Sequence, residues 1–173
     1  MVNRKHHEAR AKPAAAQEHI IAQRLSAAEQ LCQARGSRLT ARRRQILALL
    51  LKHGGCLKAY DLLKLVRHAN GHAAPPSIYR SLHFLIEHGL VHRVEALNAF
   101  IACVLDDPDT HHDLIVVCPN CTRVVEIGDN AVTRLLNANL QTHGFKRHEK
   151  VVEITAPCTD CTEIKPLKTR LNS

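Results

Sequence analysis

Two pairs of cysteines carry the strongest chemical signal in the chain: CPNC, with Cys118 and Cys121, and CTDC, with Cys158 and Cys161. A CxxC turn bends back so that both sulfurs face one ion. Two such turns complete a closed tetrahedral thiolate site of the kind that structural zinc occupies. The 36 residues between the pairs, Thr122 to Pro157, exceed what a simple zinc ribbon needs. They leave room for a strand, a helix and a strand, so a metal here would staple both ends of a folded unit. A redox role would need only one CxxC and a thioredoxin-like βαβ setting, which the flanking pattern lacks.

A second set is looser. His92, Cys103, His111 and Glu126 offer nitrogen, thiolate, nitrogen and carboxylate within one short stretch. Spacing does not decide whether they converge. His92 is one of 13 histidines, Cys103 could be a core residue and Glu126 a strand-end ion-pair partner. If they do converge, the thiolate favours zinc over iron(II) or manganese(II). Cys103 and Glu126 would also neutralise a dication, leaving a site that the protein can partly bury.

The elements that must position these residues follow from periodicity. Residues 1–18 are basic and Ala/Pro-bearing with no apolar period, which predicts a flexible tail. Ile20, Ile21, Leu25, Ala28, Leu31 and Cys32 recur at helical spacing up to Ala34, placing Cys32 in the core. Thr40 reads as the N-cap of a helix from Ala41 to His53, with Arg42, Arg43 and Arg44 in its first turn. Three cations there oppose the helix dipole, which suggests an anionic partner. Lys58–His68 reads as the next helix, with Leu62, Leu63, Leu65 and Val66 inward, and Cys56 before it as a packing residue or free thiol. Pro75-Pro76 opens a further helix that Gly89 closes. Ile78, Leu82, Leu85 and Ile86 form its buried stripe; Arg80, His83 and Glu87 point the other way, flanked by Ser77 and Phe84.

Two short strand-like runs follow, Leu90–Glu95 and Phe100–Val104. Three helices and a β-hairpin in a basic setting are the order of a winged helix-turn-helix, whose third helix enters the major groove. Residues 19–104 thus form a DNA-binding domain, 105–110 an acidic linker, 111–161 a second domain and 162–173 a polar tail. The second domain reads as ββαβ: Leu114–Val117, Val124–Ile127, a helix through Val132, Leu135, Leu136 and Leu140, and Lys150–Thr155. Its surplus aliphatic face predicts burial against a second copy, giving a homodimer. The fold class is therefore α+β, a winged helix followed by a small α/β dimerisation domain holding a four-cysteine zinc site.

Charge divides the chain in the same place. Met1–Asn98 holds 16 Lys/Arg against 6 Asp/Glu, and Ala99–Ser173 holds 8 against 10, so the net +8 sits in the first half. That asymmetry aims the first module at a polyanion. No apolar signal-peptide core follows the N-terminal charges, and the longest aliphatic run, Ile46–Leu51, is too short to cross a bilayer. The expectation is a cytoplasmic protein with no membrane partner, where paired CxxC motifs bind metal rather than form disulfides.

The stretches GSRLTARRRQIL, KAYDLL, PPSIYRSLHFLIEHGLVHRVE, IACVLDDPDTHHDLIVVCPNC and CTDC together resemble the ferric uptake regulator (Fur) family, and within it the zinc-uptake type. The resemblance covers roughly Leu31 to Cys161. It implies a homodimeric transcriptional regulator that binds operator DNA when metal is bound and represses zinc-uptake genes. It implies structural zinc on Cys118, Cys121, Cys158 and Cys161, and regulatory zinc on His92, Cys103, His111 and Glu126. It further implies a base contact by Arg80 beside Tyr79, and a DNA-facing Tyr60. One departure stands out: iron-sensing members carry an HHDH-like cluster, whereas here His111-His112-Asp113 is followed by Leu114. The missing histidine counts against a third metal site, of which His112, Asp113 and His148 would be members.

Two other functions fit less well. A zinc deaminase needs HxE upstream of PCxxC; PCTDC is present but HxE is not. Glu126 as a ligand would also leave no open position for water, so no enzyme and no small-molecule substrate are expected. A regulator of iron, manganese or nickel, or a constitutive DNA-binding protein with purely structural zinc, shares every feature except the use of the second ligand set for zinc sensing.

Overall fold

The computed structural model describes residues 14–70, 72–103, 114–127, 130–146 and 151–162. The linker 105–110, His111, His112, Asp113, His148 and the tail beyond Thr162 lie outside the described residues. Helices α1 (Ala14–Ala34), α2 (Ala41–His53), α3 (Ala59–Asn70) and α4 (Pro75–Glu87) precede a hairpin of β1 (Val91–Val94) and β2 (Ala99–Ala102). A short 3-10 turn, Glu95–Leu97, joins the hairpin strands, and Asn98 closes it in the left-handed region at φ 46°. Asn tolerates that conformation better than a branched residue would.

Most expected boundaries hold to within two residues; α1 does not. It begins at Ala14 rather than Ile20, so the expected tail overlaps its first turn and a half. Ala14, Ala15 and Ala16 have the highest helix propensity of any residue and extend the helix without needing an apolar stripe. Thr40 takes the N-cap position of α2, but its side chain makes no capping bond. Gly54 ends that helix at φ 67°, its N–H returning to the Leu50 carbonyl.

The helical core is aliphatic. Ile46, Leu50, Leu62, Val66, Ile78, Leu82 and Leu85 are almost wholly buried, and so is Cys32, as expected. Burying one such side chain contributes about 1.5–3 kcal/mol, whereas an exposed ion pair gives about 0–1. The Lys64–Asp61 pair at 3.9 Å is of the second kind, so packing rather than charge holds this domain. Leu65 departs from its expected inward place and is 40% exposed. It lies one position off the stripe that Leu62 and Val66 define at i, i+4 spacing.

The second domain is a three-stranded sheet, ordered β4 (Val124–Ile127), β3 (Leu114–Val117), β5 (Val152–Thr155), with α5 (Asn130–Thr142) between β4 and β5 and a short α6 (Thr159–Thr162) after them. β3 is antiparallel to β4 and parallel to β5. The alternation of side chains along each pleated strand gives the sheet two unlike faces. Ile115 and Val117 are completely buried and meet Val94, Leu97, Ile101 and Cys56 of the first domain. The opposite face bears Val125, Ile127 and Ile154, each about two-fifths exposed. With Val132, Leu135 and Phe145, they account for six of the nine large apolar side chains left exposed among the described residues. No helix among those residues is long and apolar enough to cross a membrane.

Candidate metal centres and nucleic-acid face

The four CxxC thiols converge. CPNC forms the β3–β4 turn, closed by Cys118 N–H to the Arg123 carbonyl at 2.8 Å and Thr122 N–H to the Cys118 carbonyl at 2.9 Å. Thr122 sits at φ 60°, the left-handed residue that brings the second thiol back beside the first. CTDC opens α6 directly after β5. Because β5 lies beside β3, the two turns meet at one end of the sheet. All four sulfurs lie within 4.8 Å of one another. Cys121 Sγ and Cys158 Sγ are 3.7 Å apart. A tetrahedron with zinc–sulfur bonds of about 2.3 Å has edges of about 3.8 Å, whereas a disulfide would need about 2.05 Å. The spacing is that of ligands around an ion.

Electrostatics agrees with the geometry. The Cys158 N–H donates to Cys118 Sγ at 3.3 Å. This bond, with those from Cys121 and Asn120, lowers the Cys118 thiol to about 6 against the opposing effect of burial. Cys161 is pushed far upward, first by its contact with Cys158, then by burial and by the other two thiols. The Cys118 thiolate forms readily, and Cys121 and Cys161 resist joining it. A dication removes that resistance, so the donor set fits zinc.

The second set also converges as far as it is described. His92 is on β1, Cys103 follows β2 and Glu126 is on β4, and their ligand atoms lie within 4.8 Å of one another. The hairpin brings the first two together: His92 pairs with Ile101, and the Cys103 N–H bonds the Leu90 carbonyl at 3.0 Å. Two-residue steps keep side chains on one face of a strand, so His92 and Cys103 share the face turned to the second sheet. Glu126 comes from that sheet. His92 Nε2 and Glu126 Oε1 are 3.7 Å apart, with side chains 7% and 2% exposed. That is too long for a hydrogen bond. It falls between the edge of a zinc tetrahedron with bonds of about 2.05 Å, about 3.4 Å, and a straight line through the ion, about 4.1 Å. Thiolate, imidazole and carboxylate at this spacing fit zinc. His111 lies outside the described residues.

The basic face is built on α2, α3 and α4. Tyr60 and Tyr79, the only tyrosines of the chain, are 65% and 58% exposed, and Arg80 beside Tyr79 is exposed too. Ile78 and Leu82 hold α4 from beneath, so Arg80 stands on its outer side. Arg42, with Arg67 and His72, lines a cleft at the start of α4 and bonds the His72 carbonyl at 3.2 Å. Arg43 is engaged internally: its guanidinium lies 3.4 Å over the Phe84 ring and donates to the Arg38 carbonyl at 2.6 Å. Phe84, expected beside the polar face, is instead buried between Arg43 and His88. The polar face of α4 is thus narrower than its sequence suggests.

One residue of the junction escaped sequence reasoning. Glu153 on β5 accepts hydrogen bonds from the Glu95 and Ala96 N–H groups at 2.7 and 2.8 Å, across the boundary between the domains. The only sequence signal is a half-buried acid between Val152 and Ile154 in a short apolar strand. Cys56 lies at the same junction, and burial, then the Glu153 charge, push its thiol up to about 11.

A model of the ferric uptake regulator family matches residues 34–155. The zinc uptake regulation protein of Escherichia coli (strain K12) is 37% identical over 141 residues, 82% of each chain. A zinc uptake regulator solved in complex with zinc and DNA superposes with a TM-score of 0.73 at 36% identity, over 88% of this chain and 98% of that one. The holo form of a second such regulator, XcZur, superposes at 0.70 with 37% identity, over 80% and 96%.

Proposed function

The chain belongs to the ferric uptake regulator family, and on that premise we propose that it is a zinc-responsive transcriptional regulator, not an enzyme, which binds operator DNA as a homodimer and represses zinc-uptake genes. The observation that carries this reading is the set of His92, Cys103 and Glu126, which draws ligands from both domains. Each subunit would hold one structural ion on Cys118, Cys121, Cys158 and Cys161 and one regulatory ion on His92, Cys103, Glu126 and His111. Bound zinc would supply a double positive charge and directed bonds that tie thiolate, imidazole and carboxylate together. The chain's own residues do the rest. β1 and the residue after β2 carry two ligands on the wing, β4 carries a third on the dimerisation sheet, and joining them would fix the angle between the domains.

In a dimer, that angle sets the separation of two α4 helices, which must be about 34–36 Å to enter successive major grooves. The exposed sheet face of Val125, Ile127 and Ile154, with the further exposed apolar side chains Val132, Leu135 and Phe145, supports the homodimer. Arg80 and Tyr79 on α4 would read bases, with Tyr60 beside them, while Arg42 and Arg43 would contact or frame phosphates. The thiolates keep this chemistry in a reducing compartment, the cytoplasm. The test uses a duplex selected from a random pool by the zinc-loaded protein. Binding should fall about 100-fold when a chelator removes the exchangeable ion and return on adding zinc but not manganese. Equal binding with and without that ion would defeat the reading.

A further inference from the structure

The junction of the two domains is built as a single row. Ile115 in the middle strand pairs with Glu126 on one side and Glu153 on the other. Residues paired across strands project to the same face, and neighbouring strands lie about 4.8 Å apart. The sheet therefore presents carboxylate, isoleucine and carboxylate, in line, to the wing. Each meets a different part of it. Glu126 faces His92. Ile115 packs in the buried cluster with Val94. Glu153 receives the first two N–H groups of the turn that follows β1. That turn cannot cap itself, because the residue before it is Val94, which has no polar side chain and makes no capping bond. A carboxylate from the other domain does so instead.

We infer that Glu153 is a positioning residue for the zinc response: a metal-independent latch that holds wing and dimerisation sheet together and sets how much zinc is needed to close the protein. The inference rests on the proposed function and deepens it. A regulator whose domains close only through the ion would need all of the closing free energy from metal binding. Two charge-assisted hydrogen bonds that form in the closed arrangement alone lower that demand. The apparent zinc affinity rises in proportion to the fraction already closed. The Glu153 carboxylate bonds the turn and belongs to neither donor group among the described residues, so its effect is on the position of the equilibrium and not on the donor set.

The experiment compares wild-type protein, Glu153→Ala and Glu153→Gln, each as the full chain with its structural zinc. Operator binding is titrated against buffered free zinc. The midpoint should rise about tenfold for Glu153→Ala, with the same plateau at saturating zinc, and by less for Glu153→Gln, which keeps one acceptor oxygen. Amide exchange at Glu95 and Ala96 should be slow in the wild type and about tenfold faster in Glu153→Ala. An unchanged midpoint, or a lowered plateau that excess zinc does not restore, would overturn the inference; the second result would mean a merely structural side chain. The exchange measurement keeps the two proposals apart. Protected Glu95 and Ala96 amides in a wild type that ignores zinc would retain the latch and reject zinc sensing. Unprotected amides in a zinc-responsive wild type would do the reverse.

Discussion

The two candidate metal centres offer donors for the same ion on opposite architectural terms. The four-cysteine centre takes its ligands from two turns of one domain, both at the same end of one sheet. The His92/Cys103/Glu126 centre takes them from a wing hairpin and from a strand of the neighbouring domain. A closed site inside one small domain adds its binding free energy to the fold, since the unfolded chain offers no such site. A site shared by two separately folded parts adds its binding free energy to their arrangement. On the proposed reading the first kind of centre is a staple and the second a switch. Which role a zinc site takes here follows from whether its ligands cross a domain boundary.

The comparison breaks most visibly at Cys118. Cys118→Ser removes the thiol that the turn's N–H groups ionise readily. The second domain has few fully buried apolar residues of its own: among the described residues, only Ile115 and Val117 are completely covered. The expected outcome is loss of the structural ion, a disordered second domain and monomers in sedimentation. A Cys118→Ser protein that remains a folded dimer with full zinc content would refute the staple. The effect should be an all-or-none loss of domain structure by circular dichroism and melting.

Cys103→Ser should act on arrangement alone. The first-domain core and the four-cysteine centre are untouched, so fold, dimer and structural zinc persist. Zinc content should drop by one ion per subunit, and stimulation of operator binding by zinc should vanish. A shift from about 1% to 99% closed would correspond to about 5.5 kcal/mol of differential binding, which sets the scale of what this variant would remove. If zinc still stimulates Cys103→Ser, the switch lies elsewhere, with His112, Asp113 and His148 the next residues to replace.

The smallest effect is downstream of both centres, at α4. Arg80→Ala should leave both ions bound and weaken operator over scrambled duplex by about 1–3 kcal/mol, the usual worth of a bidentate arginine–guanine contact. Arg42→Ala should weaken both duplexes alike and reduce the salt dependence. Arg43→Ala differs from both, because its guanidinium covers Phe84. It should lower the melting temperature as well as the affinity. Equal losses on operator and scrambled duplex for Arg80→Ala, measured by competition binding, would make it a phosphate contact only.

The four-cysteine centre was legible without a structure because its information is local. A CxxC turn sets its own geometry, and two of them imply one ion. Helical and strand periods were legible for the same reason, as the bounds of α2 and the register-bearing strands β3 and β4 bear out. Local propensity misled where tertiary packing chose between neighbours. Leu65 lost its inward place to Leu62 and Val66, and Phe84 gained one under Arg43.

What the amino-acid sequence by itself determined, then, is the set of parts: a basic helical module ending in a hairpin, a small sheet module, and the donor types for zinc. Only the tertiary structure decided which donors meet. His92 and Glu126 stand 34 positions apart on strands of different sheets, and no spacing rule connects them. Their approach to 3.7 Å occurs at the junction where Ile115 packs in one cluster with Val94 and Glu153 bonds the turn after β1. Each of those contacts joins residues at least 21 positions apart, beyond the reach of any local period. The reason is physical: a helix or a CxxC turn closes through neighbours along the chain, whereas the His92/Cys103/Glu126 set joins residues of different sheets, which only the fold brings together.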